Sequence, residues 1–228
     1  MNNKSINKTT NQEYTSKVIE ALNKKYNLSF TVDSLGGTIG TYDDTTIKAW
    51  CYCTEGELKN IKFMAEIGKE DFVVNDNYLN LEVAKKISEE LKTEYKGESI
   101  CLTQFDSLNS YSQDKSVIDI LSYINGFPSY SIMSFLFIKD DRTLNEISNL
   151  IYAYAKELEN LQYKDLGVIV FVVKNLDDSI IEKFYTSNNK YDDFIADSNV
   201  IMRSGFQIDE KGLLTSFEEI KSEFEKGK

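Results

Sequence analysis

Three cysteines, four aspartate pairs and a complete lack of histidine bound the chemistry open to this 228-residue chain. The cysteines are Cys51, Cys53 and Cys101. Two cysteines spaced i, i+2 on one strand face lie near the outer limit of disulfide Cα spacing, so a Cys51–Cys53 bridge would be strained. Cys101 reaches either one only if its strand lies alongside. Three thiols without histidine or a CxxC spacing make a poor zinc set, and they read instead as small buried hydrophobes. The acidic pairs are Asp43-Asp44, Asp140-Asp141, Asp177-Asp178 and Asp192-Asp193. Paired carboxylates can serve as acid and base, or hold Ca²⁺ with nearby carbonyls. None of these has the alternating ligands and closing glutamate of a calcium loop. Each falls at a turn or a helix start, where an acid caps exposed amides and favours the helix dipole. Asn75-Asp76-Asn77 reads the same way.

Without histidine the chain lacks the usual general base and cannot assemble a Ser-His-Asp or Cys-His unit by itself. Its only arginines are Arg142 and Arg203, which argues against a bidentate phosphate clamp. Gly36-Gly37-Thr38-Ile39-Gly40 follows a strand, but a phosphate loop must lead into a helix whose amides meet the anion. Here another strand comes next, so the segment reads as a bend. The sequence therefore yields no catalytic set, no metal ligands and no cofactor.

What it does yield is a surface. Thr46–Cys53 and Ile61–Ile67 both alternate, and pairing them makes a hairpin with two unlike faces. Ile47, Ala49, Cys51 and Cys53 join Ile61, Phe63, Ala65 and Ile67 on a dry face. Lys48, Trp50, Tyr52, Lys62 and Met64 share the other face with Glu66. With Tyr42, the residues Lys48, Trp50, Tyr52, Lys62 and Met64 form the candidate interaction surface, since aromatic rings with polar tips concentrate in interfaces. The alternative is that these rings fill a seam between two halves of the protein. Leu79, Val83, Ile87, Leu91 and Tyr95 recur at steps of four with Ala84 beside them, which predicts a long helix covering the dry face.

The remaining elements follow in order. Thr10–Glu13 has capping-box spacing and opens a helix with Val18, Ile19, Leu22 and Tyr26 on one side. Leu28–Ser34 is a strand, and so is Glu98–Gln104. Phe105–Gln113 is polar and marks the domain boundary. Val117–Ile124 is a short helix. Tyr130–Ile138 is apolar on both faces, as a central strand should be. Thr143-Leu144-Asn145-Glu146 caps the helix striped by Ile147, Ile151, Tyr154 and Leu158. Leu166–Val173 is a second central strand, parallel to the first across that helix. A short helix at Ser179–Tyr185, a loop at Ser187–Asp193, a strand at Asn199–Ile208 and a last helix capped near Ser216 complete the chain.

The predicted class is α+β, with two sub-domains, each a small, mostly antiparallel or mixed sheet covered by helices. The boundaries are a flexible polar leader at 1–12, an N-terminal sub-domain at 13–104 and a C-terminal one at 105–228. A hydrophobic fraction of 41% suits a globular protein, and one proline leaves no proline-rich linker. The net charge of −11 argues against nucleic acid and against adhesion to anionic lipid. No apolar run is long enough to insert in a membrane. Oligomeric state is not legible.

The succession Val18–Tyr26, ending in Lys25-Tyr26, then Leu28–Gly37, then the strand pair, then Asp76-Asn77-Tyr78-Leu79 opening a long helix, resembles a known pattern. It is similar to the N-terminal region of a group of uncharacterised small exported proteins and lipoproteins of Gram-positive bacteria. The likeness covers about the first 95 residues. Where that group often has a proline near the end of the second strand, this chain has Cys51-Tyr52-Cys53. The resemblance implies a cell-envelope location and no particular activity. The leading expectation is a non-catalytic binding or accessory module tethered at the envelope, with a protein partner. The alternative is a cytosolic, acidic, inhibitor- or immunity-type protein that docks on a basic partner, which three free thiols would suit. An enzyme using carboxylates, a tyrosine or a cysteine is the third.

Overall fold

The computed structural model describes residues 11–36, 45–107, 120–127, 129–187 and 190–226. These form an α+β protein with two sheets and two compact units. Along the described residues the chain passes from the first unit to the second between Leu81 and Glu82, inside a helix, while the sequence reading places its boundary at 104/105.

The first unit begins with α1 (Asn11–Tyr26), so Asn11 and Gln12 are helical and not part of a leader; residues 1–10 lie outside the described residues. Tyr14, Val18, Leu22 and Tyr26 recur every four residues and form its buried stripe. Four strands follow, β1 (Phe30–Gly36), β2 (Thr46–Cys53), β3 (Lys62–Gly68) and β4 (Val74–Asp76), antiparallel in that order. The hairpin register pairs Trp50 with Met64 and Cys51 with Phe63, so the two faces separate as the alternation requires. Ala49, Cys51, Cys53, Phe63, Ala65 and Ile67 are buried. The turn between β2 and β3 uses Gly56 and Asn60 at positive φ, values of 76° and 65°.

The dry face is covered differently from the expectation. α1 packs against β1, β3 and β4, and the rings of Tyr26, Phe30, Phe63 and Tyr78 form one cluster with centroids 4.8–5.6 Å apart. In α2 (Tyr78–Glu94), only the first turn belongs to this unit. Its stripe of Val83, Ala84, Ile87 and Leu91, continued by Tyr95, joins the core of the second sheet. The physical reason is the connection. α2 ends a few residues before β5 (Ser99–Ser107), so a tight turn lays its apolar side on the sheet that β5 starts.

In the second unit that sheet runs β5, β6 (Tyr130–Ile138), β7 (Asp165–Val173), β8 (Val200–Asp209), β9 (Gly212–Leu213). β6 and β7 are parallel and joined through α4 (Leu144–Leu158), while the other neighbours are antiparallel. The predicted parallel pair is therefore present. Phe105 and Gln104 lie within β5, so the expected boundary loop starts too early: Phe105 is a core residue, 4% exposed. A short helix α3 (Ile120–Asn125) precedes β6. Thr143 caps α4 with Glu146 reaching back to its backbone amide at 2.9 Å, the reciprocal box read from the sequence.

One face of the sheet presents Ile132, Leu136, Val168, Val170 and Phe206 to the stripes of α2, α4 and α7 (Phe217–Lys226). The opposite face presents Leu102, Phe135, Phe137, Phe171 and Val173 to α5 (Ser179–Thr186) and α6 (Lys190–Ile195). α6 replaces the loop expected at Ser187–Asp193, because Phe194 has an aromatic floor to bury against: its centroid is 4.7 Å from that of Phe137. Each such large side chain taken out of water contributes about 1.5–3 kcal/mol.

Candidate functional site

The predicted surface maps onto the outer face of the first sheet. Trp50 is 45% exposed and sits directly across from Met64; Tyr52 is opposite Lys62, and Lys48 is opposite Glu66. Alternation brings Lys48, Trp50, Tyr52, Lys62 and Met64 onto this one side. The charges here are matched locally. Lys48 Nζ lies 3.6 Å from Glu66, and Lys62 Nζ donates to Asp33 at 2.7 Å. Tyr42 lies outside the described residues.

The three thiols are sequestered, two behind that sheet and one in the core of the second unit. Cys51 and Cys53 are free and buried, as is Cys101 in β5. Burial pushes the Cys51 thiol up to about 12, and the nearby Asp76 charge adds to it. Burial also raises Cys101 to about 12. Neither is poised as a nucleophile, which requires a thiolate. Asp76 accepts from the Tyr26 hydroxyl, from Lys25 Nζ and from the Tyr78 amide, so it is both an ion-pair partner and a cap for α2. Among the other acids, Asp140 receives the Arg142 guanidinium through both oxygens, and Asp177 accepts from the Ser179 amide at 3.0 Å at the start of α5. Asp193 accepts from the Ser187 hydroxyl, and Asp43-Asp44 lies outside the described residues.

The concave site lies elsewhere, on the second sheet. α5 and α6 cover only one end of their face. Beyond α6 the face opens into a trough of about 1170 Å³. Register places Met133 and Phe135 of β6, Gly167 and Ile169 of β7, and Arg203 and Gly205 of β8 side by side on its floor. Gly167 gives space to its neighbour: a Cβ there would stand 2.9 Å from the Met133 methyl, which lies across the glycine. Met133 (36% exposed), Tyr191 (41%) and Leu214 (52%) leave apolar surface open along the trough.

Polar groups of both signs line it. On the α6 side, the Arg203 guanidinium donates to the Tyr191 hydroxyl and lies 5.3 Å from that ring's centroid. Lys190 Nζ lies 5.0 Å from the Phe184 centroid; burial pulls its pKa down while the Asp106 charge pulls it up. Asp165, Glu219 and Glu223 also line the trough, together with Lys226, and Glu223 accepts from the Gly205 amide at 2.9 Å. The sequence reading missed this site. Its available signals were two isolated glycines inside strands, Gly167 and Gly205, which mark close approach of another group.

Fold and site together define a two-unit α+β chain whose second unit carries an apolar-floored trough beside a sheet edge. No protein-family model matches the sequence. No curated protein matches it either. A crystal structure of a DUF5037 family protein from Ruminococcus gnavus is similar in fold, with a TM-score of 0.54 at 14% identity, covering 92% of this chain and 98% of that one.

Proposed function

We propose that this chain is a non-catalytic binding module that receives a segment of a partner protein in the trough of its second unit. One observation carries the reading. Six large apolar side chains are exposed among the described residues, and three of them, Met133, Tyr191 and Leu214, line this single concavity. Scattered exposed apolar residues are ordinary, whereas a gathered set beside polar anchors is how contact sites are built. The sequence supports the same view, since a chain without histidine lacks the commonest acid-base group. The Trp50–Met64 face is the second proposed contact surface, on the strength of the chain's one tryptophan being 45% exposed there.

The proposed setting is the cell envelope, supported by the N-terminal resemblance. The cytosolic inhibitor reading has its own support in the net charge of −11 and three free, buried thiols. Fractionation of the native host with an antibody to the chain separates the two settings.

Binding is tested with methyl-labelled methionine, of which the chain has four. Met133 reports the trough and Met64 the Trp50 face. Titration with a library of short peptides should move the Met133 methyl signal. If hits move only the Met64 signal, the site is the first sheet; if neither responds to any member, the binding reading is wrong.

A further inference from the structure

The trough is bordered by the outer edge of β8, and that edge is only partly closed. β9 pairs with Ile208 and Asp209 alone. Leu214 and Thr215 then engage Gln207, whose carbonyl accepts from the Leu214 amide at 2.9 Å and whose amide donates to Thr215 Oγ1 at 3.1 Å. The outward-facing residues of an antiparallel strand alternate, so Gly205 and Arg203 are the next to turn their backbone groups away from β7. The Gly205 amide is held by Glu223 and no strand lies against this stretch among the described residues.

Arg203 is the second half of the argument. The other arginine, Arg142, is paired with Asp140. Arg203 has a phenol as its partner, in a chain with 37 carboxylates. A guanidinium held by a hydroxyl, with the ring 5.3 Å away, has its direction fixed, and a planar carboxylate is the group that matches its fork. Beside it, Gly205 carries no side chain next to Ile169; a Cβ there would stand 3.2 Å from the Val168 carbonyl and 3.7 Å from Glu223 Oε2, so room over it opens when the Glu223 carboxylate moves. A large apolar group on a neighbouring strand fills such a gap.

We propose that the β8 edge at Arg203–Gly205 adds an extended segment of a partner protein as a further strand, with an acidic side chain opposite Arg203 and a large apolar side chain, two residues away, over Gly205. The inference rests on the binding-module reading and gives that site its occupant. Backbone pairing supplies attachment, and the two side chains supply selectivity. Lys190 adds a second positive charge on the same side. The acids Asp165, Glu219 and Glu223 also line the trough, together with Lys226, and Glu223, which holds Gly205 two residues from Arg203, must release that amide for the segment to seat. Glu223 is thus a guard on the edge, of the kind that keeps unpaired strands from indiscriminate pairing.

The test uses the full chain and a blocked peptide, Thr-Phe-Thr-Glu-Thr-Phe-Thr, whose symmetry serves either strand direction, followed by fluorescence anisotropy. The peptide should bind. Replacing its glutamate by glutamine, or making Arg203→Ala, should weaken binding about tenfold, with Arg203→Lys in between. Methylating the peptide's backbone nitrogens should abolish binding, and Glu223→Ala should tighten it. Circular dichroism and melting check that each variant folds. The idea is overturned by silence of this peptide, by binding that survives N-methylation, or by Arg203→Ala binding like the parent. Other library members moving the Met133 signal while this peptide does not would remove the strand mode and keep the trough as a binding site.

Discussion

The Tyr26 hydroxyl donates to Asp76 Oδ1 at 2.6 Å, joining the last residue of α1 to the last residue of β4 around a carboxylate that is 1% exposed. Lys25 Nζ takes the other oxygen at 2.8 Å. A buried charge stripped of its partner is costly, and so is a cation left behind. Asp76→Ala should therefore lower stability by about 3–5 kcal/mol, and Tyr26→Phe by about 1–3 kcal/mol, in urea unfolding. A loss under about 1 kcal/mol for Asp76→Ala would show that the carboxylate is not holding these elements together.

The thiols give a second expectation. Cys51 and Cys101 are raised to about 12 by burial, above a reference value of 9.0. An acid whose folded value is raised favours the folded state fully below the reference value, and that contribution disappears as pH climbs through the folded value. Stability should fall between about pH 9 and 12, and less steeply in a Cys51→Ala, Cys101→Ala double variant. At pH 8 the native chain should leave Cys51, Cys53 and Cys101 unreacted toward a thiol reagent, with all three appearing on unfolding. Rapid native labelling of Cys51 or Cys101 would contradict their burial.

Asp140 behaves in the opposite sense. Hydrogen bonds from the Arg142 guanidinium hold its carboxyl below the usual range, against the opposing pull of burial. A depressed carboxylate stabilises the fold above its unfolded value and ceases to do so as pH falls through the folded one. Because Arg142 is nearly half exposed, the pair contributes no more than about 1 kcal/mol at neutral pH. Arg142→Ala should show that deficit at pH 7, and the difference from the parent should shrink as pH falls below the usual carboxylate range, measured by urea titration at each pH.

Ile87 tests which sheet α2 serves. It is fully buried within the core shared with Leu136, Val170 and Tyr154. Ile87→Ala should cost about 2–5 kcal/mol. Hydrogen exchange should accelerate in β5, β6 and β7 of the second unit, with β2 and β3 retaining their protection. The reverse pattern would restore the hairpin as the helix's partner.

Most elements were legible, because their signals are local. β6, α4 with its box, β7 and the two faces of the β2–β3 hairpin each follow from alternation, period and caps within one short window. The errors concern partners and brevity. The stripe of Val83, Ile87 and Leu91 declares that a helix side will be buried, but many sheets could satisfy it. β4 has three residues, too few to show alternation. α6 offers one buried apolar residue, Phe194, among acids that read as loop. The trough was hidden for a different reason: Met133, Gly167, Arg203 and Tyr191 come from four separate elements, the first three brought together by the register of β6, β7 and β8 and the fourth by the packing of α6.

Because the chain passes between the compact units inside α2, parting them at Leu81 cuts a helix and not a loop. A fragment stopping at Leu81 would forfeit most of the helix, and one stopping at Tyr95 would carry Val83, Ile87 and Leu91 into water as a sticky ridge. Recombination that shuffles either half on its own is therefore penalised, and the two are expected to be inherited as a single gene segment.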